Sequence, residues 1–377
     1  MPEIHLEMGT TVALPKSALA GLLENLKQMG CEVVGPQVKD NTIVYAPLSN
    51  VEDLPRGYVS EQSPGSYRLN YTGHGNYFDI TPGPHSWKML FFPSRSQMVA
   101  FRRSKDSQRW EIEPDTEPTP LYALFGVRPC ELAAIQIQDN VFLRSDYKDP
   151  VYRKRRQSAF IITVNCLHPC GTCFCASMGT GPEAETGFDI SLTELEDVFL
   201  VKTGSEAGRS VMSNLPWQPA SAFWIQTAQR ELAEARQNMG RSLPNPEELP
   251  NILLNNLDHP QYDDVAKRCL SCANCTQVCP TCFCWDAQDL NDLSGSYVRR
   301  ERVWDSCFNP EYSYVFGGNT RPNTRSRYRQ WITHKLAGWY QQFGTSGCVG
   351  CGRCITWCPA GIDITAEAAA LREEVHS

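Results

Sequence analysis

Two cysteine runs of identical spacing constrain this chain more than any other feature of its sequence. In two-cluster bacterial ferredoxins such a run wraps three thiolates around one [4Fe–4S] cluster, and its fourth cysteine binds the other cluster. The crossing predicts two cofactor sites, one in each run, with the fourth cysteines exchanged. The runs are Cys269-x2-Cys272-x2-Cys275-x3-Cys279-Pro280 and Cys348-x2-Cys351-x2-Cys354-x3-Cys358-Pro359. The predicted ligand sets are Cys269, Cys272, Cys275 with Cys358, and Cys348, Cys351, Cys354 with Cys279.

Zinc is the alternative metal, because C-x2-C pairs also form zinc ribbons and fingers. Zinc does not explain the third and fourth cysteines of each run or the proline after them, whereas two crossed clusters account for all eight positions. We therefore predict two [4Fe–4S] clusters. The runs are widely separated in sequence, with a long helical stretch before the second, and this arrangement resembles the α-helical ferredoxin domain of iron–sulfur subunits in respiratory and flavin-linked complexes.

The cysteine content as a whole indicates a reducing compartment. The chain has 17 cysteines, an odd number, and it begins without the basic flank and apolar stretch of a secretory signal. In a reducing compartment, dense cysteine indicates metal binding or redox chemistry more often than disulfides. The apolar runs are also shorter than the roughly 20 residues that span a bilayer. We expect a cytoplasmic protein with no membrane span.

Charge and length exclude several other classes of protein. The net charge is −7, so the chain as a whole offers no basic field for nucleic acid. Basic stretches at 152–156, 299–302 and 321–329 are interpreted as a solvated face, with docking of an acidic partner as the alternative. A length of 377 residues favours more than one domain.

The pattern of apolar residues predicts two domains that meet at a Gly/Pro-rich break over 240–246. Residues 1–245 are predicted to form an α/β (α+β) domain. In it, helices are expected at 14–28, 131–137 and 221–237, and buried strands at 121–127 and 160–164. Residues 246–377 are predicted to form an all-α ferredoxin-like domain, with helices at 250–257, 262–270, 328–343 and 364–375.

A third group of cysteines lies in the predicted α/β domain. It consists of Cys166-x3-Cys170-x2-Cys173-x-Cys175, with Cys130 available from an earlier turn. The two predicted buried strands would deliver Cys130 and Cys166 to the same sheet edge, where α/β proteins usually bind ligands. Five thiols exceed the four that a cluster needs, so one is surplus. We predict a third metal site here, and buried structural cysteines are the alternative.

The remaining cysteines lack a complete set of partners. Cys282, Cys284 and Cys307 could bind metal, but without a fourth partner they are interpreted as packing beside the clusters. The tetrapeptide Thr-Cys-Phe-Cys occurs at 172–175 and at 281–284, and we interpret this as coincidence rather than as a repeat. Cys31 is expected to be a buried apolar residue, and His168 to be a capping or packing residue.

Several segments together resemble the β (iron–sulfur) subunit of cytosolic NAD(P)-linked [NiFe] hydrogenases, which are also called sulfhydrogenases. The A subunit of anaerobic sulfite reductase is similar. The resemblance spans about residues 120 to 370. The segments that carry it are 126–132, Asn165-Cys166, 172–182 and the two cysteine runs.

The resemblance implies an electron-transfer subunit of an oxidoreductase complex that is not catalytic alone. No dinucleotide or P-loop fingerprint is present, which agrees with catalysis on other subunits. The implied partners are a flavin/NAD(P)-binding diaphorase subunit and the small and large [NiFe] hydrogenase subunits, or a sirohaem subunit in the sulfite reductase alternative. A self-contained sulfur or polysulfide reductase and a zinc scaffold are less favoured.

The resemblance also implies a ligand set for a third [4Fe–4S] cluster. That set is Cys130, Cys166, Cys173 and Cys175. Cys170 lies where the family pattern has a small residue other than cysteine, so the choice between Cys166 and Cys170 stays open.

Overall fold

The computed structural model describes residues 6–113, 119–144 and 146–373. Its strands are β1 (Thr11–Pro15), β2 (Glu32–Lys39), β3 (Thr42–Pro47), β4 (Tyr58–Ser63), β5 (Ser66–Tyr71), β6 (Arg95–Arg103), β7 (Trp110–Glu113), β8 (Tyr122–Val127), β9 (Phe160–Val164), β10 (Ile190–Glu194), β11 (Val198–Thr203), β12 (Gln218–Pro219), β13 (Trp285–Asn291), β14 (Tyr297–Trp304), β15 (Tyr314–Val315) and β16 (Gly318–Asn319).

Its α-helices are α1 (Leu19–Gln28), α2 (Lys88–Phe91), α3 (Pro129–Leu143), α4 (Pro150–Gln157), α5 (Glu206–Met212), α6 (Ala222–Gln237), α7 (Leu249–Asn255), α8 (Gln261–Arg268), α9 (Asn274–Gln277), α10 (Thr324–Thr333), α11 (Trp339–Phe343), α12 (Arg353–Thr356) and α13 (Ile364–Ala370). A π-helical turn, His334–Gly338, joins α10 to α11. Within the described residues, none of the helices combines the length and the apolar character needed to cross a membrane.

A mixed eight-stranded sheet organises the N-terminal part, in the order β12-β1-β11-β10-β9-β8-β2-β3. The four central strands are parallel: β10 pairs with β9, β9 with β8, and β8 with β2. Strand β9 is buried along its whole length and β8 along nearly all of it, which is typical of parallel strands covered on both faces. The two buried strands expected from the sequence are therefore adjacent, as predicted.

The helix predicted at 14–28 is shorter than expected. Residues 11–15 form β1, which pairs antiparallel with β11, and α1 begins only at Leu19. The side chains of Val12, Ala13 and Leu14 are all buried. Three consecutive buried apolar residues fit a strand covered on both faces, so periodicity alone could not separate strand from helix here.

The C-terminal region is rich in helices but is not all-α. Strand β14 pairs with β13 and with β6 from the N-terminal part, giving a four-stranded sheet in the order β13-β14-β6-β7. Most of β13 is exposed, and its polar residues pair with cations, as in the 2.7 Å contact between Arg300 and Asp289. Such strands show no apolar alternation and so were missed. The division near residue 245 stays a prediction. The helix expected over 364–375 is shorter than predicted, since α13 ends at Ala370; residues 374 and 375 of that prediction lie outside the described residues.

A buried ion pair joins the sheet-rich part to the second cysteine run. Glu131, at the start of α3, contacts Arg353 of α12 at 2.5 Å, and each side chain is 1 % exposed. The hydroxyl of Tyr45 and the indole N–H of Trp87 also donate to Glu131, while Arg353 donates to the carbonyl of Gly83. Removing one partner of a buried pair leaves an uncompensated charge, which typically costs about 3–5 kcal/mol.

Two loops also pack backbone to backbone at this junction. The Phe174 amide donates to the Gly350 carbonyl at 2.8 Å. A Cβ on Gly352 would lie 2.3 Å from the Thr172 carbonyl oxygen. Residue 352 must therefore be glycine for the segment around residue 174 to lie against the second cysteine run.

We expect Gly352→Ala to destabilise the protein more than Gly344→Ala. Both glycines have left-handed φ angles, +72° and +71°, so both variants carry the same backbone cost of about 1–2 kcal/mol. Only Gly352 has backbone within clashing distance, because nothing lies within 4 Å of a Cβ at Gly344. The clash should add about 1–3 kcal/mol, measured as the free energy of unfolding in denaturant. Equal losses for the two variants would contradict this close packing.

Candidate iron–sulfur centres

The structure gathers the clustered cysteines into three neighbouring groups. We call them the first thiol set (Cys269, Cys272, Cys275 and Cys358), the second thiol set (Cys279, Cys348, Cys351 and Cys354) and the third thiol set (Cys130, Cys166, Cys170, Cys173 and Cys175).

The first thiol set surrounds a small cavity. Cys358, which is distant in sequence, lines this cavity of about 30 Å³ together with the three cysteines of the first run. Cys354 lines it as well. Burial raises the pKa of Cys275 well above its usual range, and the neighbouring thiols Cys269, Cys358 and Cys272 raise it further. A thiol in these surroundings is deprotonated only when a cation or metal offsets the charge.

The second thiol set brings Cys279 to the second run. Cys279 is close enough to Cys348, Cys351 and Cys354 to influence the pKa of each thiol. The hydroxyl of Thr281, two residues after Cys279, donates to the carbonyl of Gly347 at 2.7 Å. The chain after the first run is therefore anchored to the start of the second run.

The two runs share one backbone conformation. In each, the amide two residues after the first cysteine contacts its sulfur at 3.4 Å, from Ser271 to Cys269 and from Gly350 to Cys348. Residues 271 and 273 of the first run and residues 350 and 352 of the second all have positive φ. Backbone donors aimed at a ligand sulfur are the kind of contact that tunes cluster potentials.

The third thiol set lies at the carboxyl edge of the main sheet. Cys130 is the second residue of α3, directly after β8, and Cys166 follows β9. Because β8 and β9 are parallel neighbours, their carboxyl ends meet at this edge. The Cys175 thiol interacts with Cys130 and lies near Cys166, and the sulfurs of Cys170 and Cys173 are 3.1 Å apart.

Arg128 fixes this edge and opposes the burial of its thiols. Its guanidinium is 3 % exposed and donates to the carbonyls of Phe78 and Ile80 at 2.6 Å and to that of Asn165 at 3.2 Å. Burial raises the pKa of Cys166 to about 11, and the charge of Arg128 acts in the opposite direction. This cation thereby favours the thiolate form that a metal requires.

Buried cations play the same part at the second thiol set. Burial raises the pKa of Cys348 to about 11 and that of Cys351 to about 12, and the nearest opposing charges are Lys335 and Arg353 respectively. Both cations are at most 5 % exposed. Neither cation could be predicted from the sequence, because an isolated Lys or Arg carries no sequence signal of burial. The interpretation of the basic stretches as a solvated face is wrong for Arg302 and Arg327, whose side chains are buried.

The three sets lie side by side. Cys130 of the third set is within electrostatic range of Cys348 and Cys351. Cys354 of the second set is similarly close to Cys275 of the first. The second thiol set therefore lies between the other two.

Other side chains singled out in the sequence lie outside these groups. Cys31 is buried in the core of the main sheet, as predicted. His168 is exposed and lies 3.4 Å from Asp79. Among residues 6–113, 119–144 and 146–373, no group of three or more His, Cys, Asp or Glu side chains is positioned to hold a metal ion as the side chains stand.

Comparison with known proteins identifies an iron–sulfur domain around the two cysteine runs. Residues 268–362, which contain both runs, match the 4Fe-4S dicluster domain. The chain is 32% identical over 344 residues to sulfhydrogenase 2 subunit beta of Pyrococcus furiosus, covering 90% of this chain and 91% of that protein. No solved structure matches the chain. The cysteine motifs resemble those of the iron–sulfur subunits of sulfhydrogenases, and the chain belongs to the family of sulfhydrogenase beta subunits.

Proposed function

We propose that this chain relays electrons, as the iron–sulfur subunit of a hydrogenase complex, between a flavin- and NAD(P)-binding subunit and the [NiFe] catalytic subunits. The observation that carries the proposal is the row of three adjoining thiol sets, which spans the chain from the sheet edge to the C-terminal helices. Similarity to a sulfhydrogenase beta subunit supports membership of such a complex.

The proposed ligands follow from the motifs and from their grouping. A [4Fe–4S] cluster supplies reversible one-electron transfer when it is bound. The residues that would hold the three clusters are Cys269, Cys272, Cys275 and Cys358 in the first thiol set, Cys279, Cys348, Cys351 and Cys354 in the second, and Cys130, Cys166, Cys173 and Cys175 in the third.

The protein's own contribution is charge compensation and exclusion of water. A cluster bound by four thiolates is anionic, and the buried side chains of Arg128, Lys335 and Arg353 offset that charge next to the thiols. Phe174, which is completely buried, packs between the third thiol set and the C-terminal core. The three cations would favour the reduced state by stabilising its extra negative charge.

The first thiol set offers the most exposed contact point for a partner. Cys272 is exposed, whereas the other members of this set are half-buried. Leu270, between two predicted ligands, is 68 % exposed. An exposed apolar side chain beside an exposed ligand is suited to protein–protein contact. We propose that one partner subunit docks here.

The relay is tested in the intact complex, purified without oxygen through a tag on this chain. We expect [NiFe] and flavin subunits to copurify. Cys351→Ser interrupts the middle site, so hydrogen-dependent NAD(P) reduction should fall to near background. Two partial reactions should persist, because neither requires electrons to cross the middle site. They are the reduction of viologen by hydrogen at the [NiFe] subunits and the reduction of viologen by NAD(P)H at the flavin subunit.

Cys31→Ser is the control, since Cys31 lies in the core of the main sheet. It should retain hydrogen-dependent NAD(P) reduction. Full activity in Cys351→Ser would contradict the relay. Copurification of a sirohaem subunit instead would replace the hydrogenase assignment with the sulfite reductase alternative.

The crossed ligation predicts that Cys358→Ser damages the cluster of the first run. Cys358 belongs to the second run in sequence, but it lines the cavity of the first thiol set. Electron paramagnetic resonance of the reduced protein should show loss of the magnetic coupling between the two clusters, with the spectrum of the second cluster retained. Loss of the second cluster alone would show that the fourth ligands do not cross.

The ligand set proposed for the third cluster predicts different effects of replacing Cys173 and Cys170. Cys173→Ser should remove about four irons from the anaerobically purified chain, because it deletes a proposed ligand. Cys170→Ser should leave the iron content unchanged, since Cys170 is the proposed surplus thiol. Iron and sulfide analysis measures both variants. Unchanged iron in Cys173→Ser would contradict this ligand set.

A further inference from the structure

We infer that Cys282, Cys284, Cys307 and His334 bind a fourth [4Fe–4S] cluster, in a cavity beside the second thiol set. This inference goes beyond the proposed relay, which needs only the first three sites. In the sequence the three cysteines lacked a fourth partner, and packing was the favoured interpretation. The structure places His334 on the same cavity as all three thiols.

The cavity has room for a cluster. Its volume is about 170 Å³, against about 30 Å³ for the cavity in the first thiol set. A single zinc ion bound at about 2.0–2.3 Å needs far less space than a four-iron cluster. The size of the cavity is therefore compatible with a cluster.

The three thiols face this space from two segments of the chain. Cys282 and Cys284 come directly after the first run, and Cys307 follows β14. The Cys284 thiol interacts with the side chains of Cys307 and Tyr312. All three cysteines are half-buried, which is compatible with thiols that line a cavity.

A repeated hexapeptide gives these thiols the same sequence context as the third site. Residues 279–284 match residues 170–175 at five of six positions, in the pattern Cys-Pro/Gly-Thr-Cys-Phe-Cys. In both copies the first cysteine sulfur contacts the threonine hydroxyl, at 3.2 Å and 3.3 Å. The last two cysteines of the earlier copy are proposed cluster ligands. Cys282 and Cys284 occupy the same two positions in the later copy.

His334 completes the set from a third segment of the chain. It is the first residue of the π-helical turn, a feature common at functional sites. Its ring contacts Phe283 and Trp339, with centroids 6.1 Å away in each case. Among the hydrogen bonds formed within the described part of the chain, none involves its ring nitrogens. Histidine replaces cysteine on iron in other iron–sulfur proteins.

The π-helical turn is held rigidly against the second run. The Lys335 carbonyl, within this turn, accepts hydrogen bonds from the Gly347 amide at 2.8 Å and from the Ser346 hydroxyl at 3.1 Å. These bonds fix the position of His334 relative to the thiols. A ligand held in this way needs little reorganisation when metal binds.

The cavity also carries charge and donors suited to an anionic cluster. The ammonium of Lys335 is buried and bonds to the Thr281 hydroxyl at 3.0 Å. Trp331, which is 4 % exposed, lines the cavity, and its indole N–H has no hydrogen-bond partner among the described residues. Arg321 also lines the cavity, and its buried Nε likewise has no partner in the described part of the chain. Cluster sulfides are acceptors that could satisfy these donors.

The site adjoins both sites of the dicluster domain. Cys282 interacts with Cys279 of the second thiol set, and Cys307 lies within electrostatic range of Cys275 of the first. A cluster here would be a side branch of the proposed row of centres.

The test compares iron content and nitrogen ligation in the anaerobically purified full-length chain. We expect Cys307→Ser and His334→Ala each to hold about four irons fewer than the wild-type chain. His334→Cys should restore the iron, because it supplies a fourth thiolate. Pulsed electron paramagnetic resonance should detect nitrogen coupling to a reduced cluster in the wild-type chain, and this coupling should be absent from His334→Cys.

Cys31→Ser is the matched control and should keep both the iron and the nitrogen coupling. Unchanged iron in Cys307→Ser and His334→Ala would overturn the fourth site. The fourth site would also be overturned if the wild-type chain held a zinc ion that Cys307→Ser and His334→Ala lost while their iron content stayed unchanged. A variant that fails to fold is recognised because it loses more than four irons. In that case His334→Cys provides the test, since it should keep its iron and lose only the nitrogen coupling. The relay test does not depend on these residues, so the two proposals can fail separately.

Discussion

The buried ion pair between Glu131 and Arg353 is the interaction on which the arrangement of the thiol sets depends. Glu131 follows Cys130 directly, and Arg353 directly precedes Cys354. Each partner is therefore one residue from a proposed ligand of a different cluster. Both side chains are almost completely buried. Moving the start of α3 away from α12 would therefore leave a buried charge without its partner. The pair thus sets the distance between the third and second sites.

Burial and charge oppose each other throughout the centre of the molecule. Burial protects a cluster from water but raises the pKa of its thiol ligands, as it does for Cys166, Cys348 and Cys351. A single buried cation near each of these thiols counteracts the effect. Left-handed backbone at Gly350 and Gly352 adds close packing without side-chain bulk. As a result, Cys166, Cys348 and Cys351 remain able to ionise when metal binds although they are buried.

The features that the sequence could predict are those with a local pattern. The two cysteine runs have fixed spacing, and β8 and β9 are continuous apolar stretches, so their identity and adjacency followed from rules of local structure. The strands β13 and β14 could not be predicted, because β13 is mostly polar and exposed and β14 owes its position to pairing with β6, about two hundred residues away. The buried roles of Lys335 and Arg353, and the position of His334 on the same cavity as Cys307, likewise arise only from long-range packing. An isolated charged residue looks the same in a sequence whether it is buried or solvated.

The central claim is that three iron–sulfur sites lie in one row with the second thiol set in the middle. Anomalous X-ray scattering at the iron absorption edge, from crystals of the anaerobically purified protein, locates the iron directly. We predict iron at all three thiol sets, with the middle centre bound by Cys279, Cys348, Cys351 and Cys354. Absence of iron between Cys130 and Cys166, or zinc in place of iron in the two runs, would contradict the account.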